Sequence, residues 1–166
     1  EEFKGKKIGF VVPQTSLRKT LKGIFRSIYG LKASDVLAPS DVTKQYYDIL
    51  LVDEAHRLHQ YKNISYMGAF KASCERIGLT TDSDELDWIL HQCKCPVLFY
   101  DAMQVVGPSG IDVKRFRSKM KMEQAKRLLI YYNLLTQMRV KGGNDYIDYV
   151  KAILAGEVKE KKNFKN

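Results

Sequence analysis

The chain has 166 residues, of which 45% are hydrophobic and 28% are charged, so it can bury the core of one soluble domain. No apolar run approaches the length of a membrane span, which excludes a transmembrane helix in this sequence. Three cysteines (Cys74, Cys93 and Cys95) form no disulfide framework, and this favours a reducing cytosol. The net charge of +9 indicates a polyanionic partner such as nucleic acid, with a merely solvated basic surface as the alternative.

Strands and helices are predicted to alternate along the first third of the chain. The predicted elements are a strand over 7–12, a helix over 16–29 that ends before Gly30, a short strand around 35–38, a short helix from Ser40-Asp41 through about Tyr46, and a strand over 48–52. The helix over 16–29 carries basic residues on one side and apolar residues on the other, which is typical of a helix packed on a core.

The remaining chain continues the alternation. The predicted elements are helices over roughly 65–77 and 83–92, a strand over 96–100, a short helix near Asp112, a strand over 128–134 and a helix from Asn144 to about Leu154. Asp82 or Ser83 is expected to cap the helix over 83–92. This order predicts an α/β domain over residues 1–156 with a mainly parallel sheet, followed by a basic, frayed tail over 157–166.

The run 48–57 carries the strongest functional signal. Four aliphatic residues without polar alternation predict a strand buried on both faces of a parallel sheet, and this strand ends in Asp53-Glu54. Ligands of such sheets bind beyond the carboxyl ends of the strands. A nucleoside triphosphatase needs such a pair, because one carboxylate holds Mg²⁺ and the other orients or deprotonates the attacking water. The alternative is a buried strand that ends in an acidic turn.

Further motifs follow in a fixed order. The strand at 96–100 ends in Asp101-Ala102-Met103-Gln104, and Leu134-Leu135-Thr136-Gln137-Met138-Arg139 follows later. Upstream lie Phe10-Val11-Val12-Pro13-Gln14-Thr15 and Val36-Leu37-Ala38-Pro39-Ser40. This series resembles that of superfamily 1 helicases and ATPases, and more narrowly the RecA-like P-loop NTPase domain of the bacterial Schlafen-type helicase-like family, from about Lys7 to Gly156.

The resemblance implies roles at the nucleotide site. Asp53 would hold Mg²⁺, Glu54 would activate the water, and Asp101 would be the acidic residue at the next strand end. Gln104 would sense the terminal phosphate of ATP, and Arg139 would approach the γ-phosphate from across the cleft. The simpler alternatives are a loop amide at Gln104 and an exposed arginine before a Gly-Gly turn at Arg139.

The resemblance also implies a path for nucleic acid, DNA or RNA and most naturally single-stranded. Its candidate contacts are Pro13, Gln14, Thr15, Arg18, Lys19, Pro39 and Ser40. Exposed tyrosines, Tyr66 among them, could stack on single-stranded bases. Trp88 is interpreted as a core residue, with base stacking as the alternative.

Histidines and cysteines give a weaker signal. In related helicases, the residue at the position of His56 contacts the residues that couple the nucleotide site to the nucleic-acid site. His56 and His59 could mimic a metal pair, but Cys93-x-Cys95 lacks the second paired half that a zinc site needs, so no zinc is expected.

No Gly-x-x-x-x-Gly-Lys-Ser/Thr phosphate loop occurs in the sequence. We interpret the chain as an N-terminally incomplete piece of a longer protein, part of an ATP-dependent helicase or translocase motor that also contacts the remainder of its parent chain. ATP and Mg²⁺ would then act in the parent, and this piece alone would hydrolyse little ATP. The alternative function is a non-catalytic RecA-like module that binds nucleic acid or protein in a defence or regulatory protein.

Overall fold

The computed structural model describes residues 3–105, 107–134 and 143–157. The chain divides into two compact units, Glu1–Glu123 and Gln124–Asn166. Among the described residues, all strands and all helices but the last lie in the first unit, except for Gln124 at the end of the last helix but one. The first unit therefore contains the predicted motifs up to Gln104.

A four-stranded, all-parallel sheet forms the centre of the first unit. Its strands are β1 (Ile8–Val11), β2 (Val36–Leu37), β3 (Tyr47–Val52) and β4 (Cys93–Leu98). They are arranged in the order β2-β1-β3-β4, and each pair runs parallel. The predicted α/β class with a parallel sheet is thereby confirmed.

Helices connect and flank these strands. They are α1 (Thr15–Ser27), α2 (Met67–Arg76), α3 (Glu85–His91) and α4 (Val113–Gln124), and α5 (Gly143–Leu154) belongs to the second unit. Short 3-10 turns occupy Ala33–Asp35, Pro39–Lys44, Ala55–Arg57 and Ala102–Gln104. The helices α1, α2, α3 and α5 lie where the sequence predicts helix, with ends that shift by two residues or fewer. The helix α4 begins next to Asp112 as predicted, but it is 12 residues long rather than short.

One face of the sheet is more deeply buried than the other. Val11, Leu50 and Val52 have no exposed surface, whereas Leu51, whose side chain points to the opposite face, is 36% exposed. On that opposite face α1 covers the β1 side, where Phe25 stacks on Phe10 at 6.2 Å between ring centroids. The prediction that β3 is buried on both faces is therefore wrong for one face, because α1 does not shield Leu51 completely.

Two other sequence predictions need correction. β4 begins at Cys93, three residues before the predicted start, since Tyr47 N–H donates to Gln92 O (2.8 Å) and aligns the two strands there. No strand forms over 128–134, where Leu128 and Leu134 are largely exposed. Apolar and aromatic composition favours a strand, but a strand also needs a paired neighbour, and this segment has none among the described residues.

Asp84 joins α3 to α4. It is the N-cap of α3, in place of the predicted Asp82 or Ser83, and its Oδ1 accepts the N–H groups of Leu86 and Asp87, both at 3.1 Å. Its Oδ2 accepts from Arg115 Nε at 2.6 Å and lies 3.2 Å from Lys119 Nζ. The side chain is completely buried.

The electrostatics of Asp84 show why these partners matter. Burial raises the pKa of the Asp84 carboxyl, and the neighbouring Asp87 raises it further, while Lys119 and Arg115 act in the opposite direction. A buried carboxylate is costly unless it is paired and hydrogen-bonded. The α3–α4 contact therefore depends on both basic side chains remaining in place.

Replacing Asp84 with alanine should lower the free energy of unfolding by about 3–5 kcal/mol, because it removes a helix cap and leaves two cations without their buried partner. Urea denaturation followed by circular dichroism measures this loss. Asp82→Ala is the matched control: Asp82 is exposed just before the helix, and its loss should change stability by about 0.5 kcal/mol or less. Equal effects of the two substitutions would contradict the role given to Asp84.

Candidate nucleotide and nucleic-acid sites

The carboxyl ends of β3 and β4 lie side by side. Val52 pairs with Leu98, and Phe99 N–H then donates to Val52 O at 2.9 Å. Beyond the strands, Ala55 N–H donates to Phe99 O at 2.8 Å. Because parallel strands end at the same edge, this pairing brings the Asp53-Glu54 turn next to the segment that begins at Asp101.

Glu54 occupies an unusual backbone conformation at this edge. Its φ of 49° and ψ of 44° lie in the left-handed region, which non-glycine residues rarely adopt. Asp53 Oδ1 accepts the Glu54 N–H at 3.0 Å and stabilises the turn. Backbone strain of this kind costs on the order of 1–3 kcal/mol and concentrates at functional sites.

The side chain of Glu54 has two basic neighbours. Arg57 Nε donates to Glu54 Oε2 at 2.9 Å, and His56 Nε2 lies 3.1 Å from the same oxygen. The His56 contact is close but lacks the alignment of a hydrogen bond, so Nε2 has no hydrogen-bond partner among the described residues. Glu54 is thus held within its own turn by Arg57.

His56 connects this turn to the end of β4. Its ring is buried, its Nδ1 accepts the N–H of Asp101 at 3.3 Å, and the edge of Tyr100 packs against it at 6.2 Å between centroids. An imidazole nitrogen that accepts a hydrogen bond carries no proton, so the proton lies on Nε2, beside Glu54. His56 therefore contacts both motifs.

Asp101 and Gln104 form a tight turn after β4. Asp101 Oδ2 accepts from Gln104 Nε2 at 2.7 Å, and Oδ1 accepts the Met103 N–H at 2.9 Å. The Gln104 amide, followed by the Met103 N–H, lowers the pKa of the Asp101 carboxyl. A chain of contacts therefore runs from Glu54 through His56 and Asp101 to Gln104. The hydrogen bond from the Gln104 side chain to Asp101 also fits the simpler interpretation of Gln104 as a loop amide.

A second site lies at the ends of β1 and β2. Val12 N–H donates to Leu37 O at 3.0 Å, which brings the loops after these strands together. The two loops share one cavity of about 400 Å³, lined on this side by Pro13, Thr15, Arg18, Pro39 and Ser40. Five of the seven predicted nucleic-acid contacts thus meet in one place, while Gln14 and Lys19 are exposed nearby in sequence and do not line the cavity.

The Arg18 side chain stabilises the backbone of this site. Its guanidinium donates to Val12 O (2.6 Å), Pro13 O (3.1 Å) and Thr15 Oγ1 (3.2 Å). These bonds fix the loop between β1 and α1. The helical pattern in the sequence places Arg18 on the basic side of α1, but it does not indicate that the side chain turns back to the backbone.

The opposite wall of the cavity contains Tyr66, which the sequence suggested as a base-stacking tyrosine, together with His59 and Glu85, which sequence reasoning did not assign to this site. Tyr66 Oη donates to Glu85 Oε1 at 3.2 Å and lies 3.0 Å from His59 Nδ1, and all three residues line the cavity. Backbone bonds hold the arrangement: His59 N–H donates to Glu85 Oε2 at 2.9 Å, and Glu85 N–H donates to His59 O at 3.0 Å. No local sequence signal links residues 59 and 85.

This network shifts two pKa values. The Glu85 carboxylate, through hydrogen bonding and charge, raises the pKa of His59 above its usual value despite the opposing effect of burial. Burial, and then the charge and hydrogen bond of Glu85, raises the pKa of Tyr66. Tyr66 therefore stays a neutral hydrogen-bond donor, and His59 is readily protonated beside the buried carboxylate.

Comparison with known proteins adds one decisive finding. The family model of the Schlafen group 3 DNA/RNA helicase domain matches residues 11–166. The chain belongs to this family. Membership agrees with the parallel α/β sheet and a RecA-like fold, and it supports a helicase-like role and interaction with nucleic acid in general terms. No curated protein and no solved structure matches the chain.

Two predictions about the nucleotide site of this Schlafen group 3 domain concern Arg139 and the residues that would hold Mg²⁺. Arg139 lies outside the described residues. Within the described ranges, no cluster of three or more His, Cys, Asp or Glu side chains could hold a metal ion. Mg²⁺ is compatible with the Asp53-Glu54 pair nonetheless, because it commonly binds through one or two carboxylates and takes its other ligands from water and substrate phosphates.

The described helices also bear on membrane association. None of them is sufficiently long and apolar to span a bilayer.

Proposed function

We propose that this Schlafen group 3 domain forms part of the motor of a superfamily 1 type, ATP-dependent helicase or translocase that acts on nucleic acid in the cytosol. The main support is the chain of contacts from Glu54 through His56 and Asp101 to Gln104. It joins the residue proposed to activate water to the residue proposed to sense the terminal phosphate.

The proposed chemistry assigns one role to each side chain. Asp53 would hold Mg²⁺, which supplies charge neutralisation at the phosphates when bound. Glu54 would accept the proton of the attacking water, Gln104 would sense the terminal phosphate, and Arg139 would neutralise charge on the γ-phosphate. A phosphate loop, which these 166 residues lack, must come from elsewhere in a parent protein for this hydrolysis to occur.

The proposed path for a single strand crosses the two loops that meet at the cavity. Backbone phosphates would contact the loop at Pro13-Gln14-Thr15, Pro39 and Ser40, and the exposed basic side chains of α1, such as Lys19. The net charge of +9 supports such a partner. Arg18 contributes by fixing the loop, which uses three of the five N–H donors of its guanidinium.

A second candidate function is a non-catalytic RecA-like module that binds nucleic acid or a protein partner. Two observations favour it: the sequence has no phosphate loop, and the Glu54 carboxylate is paired with Arg57. In a motor, Glu54 has to be released from Arg57 to meet water, whereas in a binding module this pair would be permanent.

In a parent protein with a phosphate loop, Glu54→Gln should slow ATP turnover by about 10²–10⁴-fold and leave ATP binding nearly intact, because an amide keeps the shape but cannot accept a proton. A steady-state ATPase assay and a nucleotide-binding titration measure the two effects. Glu75→Gln, at an exposed position on α2, is the control and should change neither. Normal turnover in the Glu54 variant removes this residue from catalysis, and an inactive wild-type parent favours the binding module.

Reversing two charges on α1 should flatten the salt dependence of single-strand binding. Each phosphate contact contributes about 0.7 to the slope of log K against log salt for single strands, so K19E/R26E should reduce the slope by about 1.4. Fluorescence anisotropy at several salt concentrations measures it. K114E/K121E on α4 is the matched control, since both its residues are exposed and spaced equally. Equal changes in both variants mean that net charge alone acts, and that no path runs along α1.

A further inference from the structure

Three side chains on one wall of the cavity form a network that the proposed ATPase chemistry does not use. His59 lies in the segment that follows the turn after β3, Tyr66 is the N-cap of α2, and Glu85 is the first residue of α3. All three line the cavity of about 400 Å³ that also contacts the loops after β1 and β2. The hydrogen bonds among them therefore join the starts of two helices and set the position of this wall.

His59 and Glu85 are held in place by the backbone. His59 pairs with Gly110 in an isolated antiparallel bridge, and Gln60 Nε2 donates to Gly110 O at 2.6 Å. The backbone N–H of His59 donates to Glu85 Oε2, and that of Glu85 donates to His59 O. Tyr66 is different, since the hydrogen bonds that join it to this pair are made by its hydroxyl. The hydroxyl is therefore the movable part of the network.

The Tyr66 hydroxyl has two acceptors within reach and a single proton to donate. Its oxygen lies 3.0 Å from His59 Nδ1 and 3.2 Å from Glu85 Oε1. An imidazolium carries a proton on each nitrogen and cannot accept a hydrogen bond, so beside a charged His59 the hydroxyl donates to Glu85. A neutral ring with an unprotonated Nδ1 accepts the hydroxyl proton instead, and Glu85 Oε1 then loses this donor. Two arrangements of the same side chains are available, and the charge of His59 selects between them.

The burial of Glu85 gives the two arrangements different free energies. Glu85 is 4% exposed, and a buried carboxylate is costly unless it is paired and hydrogen-bonded. When His59 is charged, its Nδ1 forms an ion pair with Glu85 Oε2 at 3.4 Å, and the Tyr66 hydroxyl satisfies the other oxygen. When His59 is neutral, Glu85 loses the positive charge and the hydroxyl together. The first arrangement therefore ties the start of α2 to α3 more strongly.

We propose that His59, Tyr66 and Glu85 form a clasp that a proton closes. With a proton on both ring nitrogens of His59, the Tyr66 hydroxyl donates to Glu85 and holds the start of α2 against α3. Loss of one of these protons turns the hydroxyl towards His59 and releases Glu85, so that the cavity wall loosens. The clasp is a regulatory device of the fold, and its operation requires neither nucleotide nor nucleic acid.

Among the charges around His59, that of Glu85 dominates. Hydrogen bonding to Glu85 raises the pKa of His59, burial of the ring opposes this effect, and the charge of Glu85 raises the pKa further. Arg18 of α1 also lines the cavity, but its guanidinium donates to the loop after β1. Asp84, next to Glu85 in the chain, is paired with basic side chains of α4. The clasp is therefore closed at acidic pH and opens as the pH rises through the pKa of His59.

An NMR titration of the 166-residue chain tests the clasp in the wild type. The His59 ring, assigned by its absence from His59→Gln, should titrate above its ordinary midpoint of about 6.5. The backbone amides at the start of α2, such as those of Gly68 and Ala69, should shift with the same midpoint. In Tyr66→Phe, His59 should still titrate, while these amides no longer follow it. Tyr29→Phe removes a fully exposed tyrosine hydroxyl and is the matched control, which should behave like wild type.

The pH dependence of stability gives a second readout. Since the folded chain binds the His59 proton more tightly than the unfolded chain does, the clasp stabilises the fold below about pH 6.5, and this contribution is lost as the pH rises through the folded pKa. The gap in Tm between wild type and H59Q should therefore be about 2–4 °C larger at about pH 5.5 than at about pH 9. H91Q removes an exposed imidazole at the end of α3 and is the control, whose gap should change less with pH.

Three results would each refute the clasp: a His59 midpoint at or below the ordinary value, amides of α2 that follow His59 in Y66F as they do in wild type, or a Tm gap for H59Q that is the same at both pH values. The first of these comes from wild type, so it decides the matter even if a variant fails to fold. None of the measurements involves nucleotide or nucleic acid, and the clasp therefore stands or falls separately from the proposed function.

Discussion

The parallel pairing of β3 with β4 is the constraint on which the candidate nucleotide site depends. It ends the two strands at the same edge, so the Asp53-Glu54 turn and Asp101 meet although they are far apart in sequence. The left-handed backbone at Glu54 then directs the chain back towards β4, where His56 accepts the N–H of Asp101. A one-residue slip in this register would move every side chain of the strand to the other face and separate the motifs.

The second pair of strands has the same effect for the candidate nucleic-acid site. Pairing of β1 with β2 brings two loops to one cavity, and Arg18 fixes the first loop through backbone carbonyls. The far wall of this cavity begins at α3, which is capped by Asp84 and tied to α4 through Arg115. Stability and function are therefore connected: the buried ion pairs that hold α3 also position Glu85, the residue after the cap.

Local patterns predict much of this architecture, and long-range contacts explain what they miss. The apolar run before Asp53 predicted a strand in a parallel sheet because a buried strand leaves a short continuous signal. The pairing of His59 with Glu85, 26 residues later, leaves no such signal, and neither does the bond between Asp84 and Arg115, 31 residues later. At 128–134 the local pattern predicted a strand that does not form. The composition of this segment is typical of a strand, but among the described residues no neighbouring strand pairs with it.

The link through His56 is the central claim, and the tautomer of its ring tests it most directly. A long-range ¹H–¹⁵N spectrum of the three histidine side chains, with His56 assigned by its absence from His56→Gln, reports which nitrogen carries the proton. If Asp101 N–H donates to Nδ1, then Nδ1 is unprotonated and the proton lies on Nε2, beside Glu54. A proton on Nδ1, in either the other neutral tautomer or the imidazolium, would contradict the link between the two motifs.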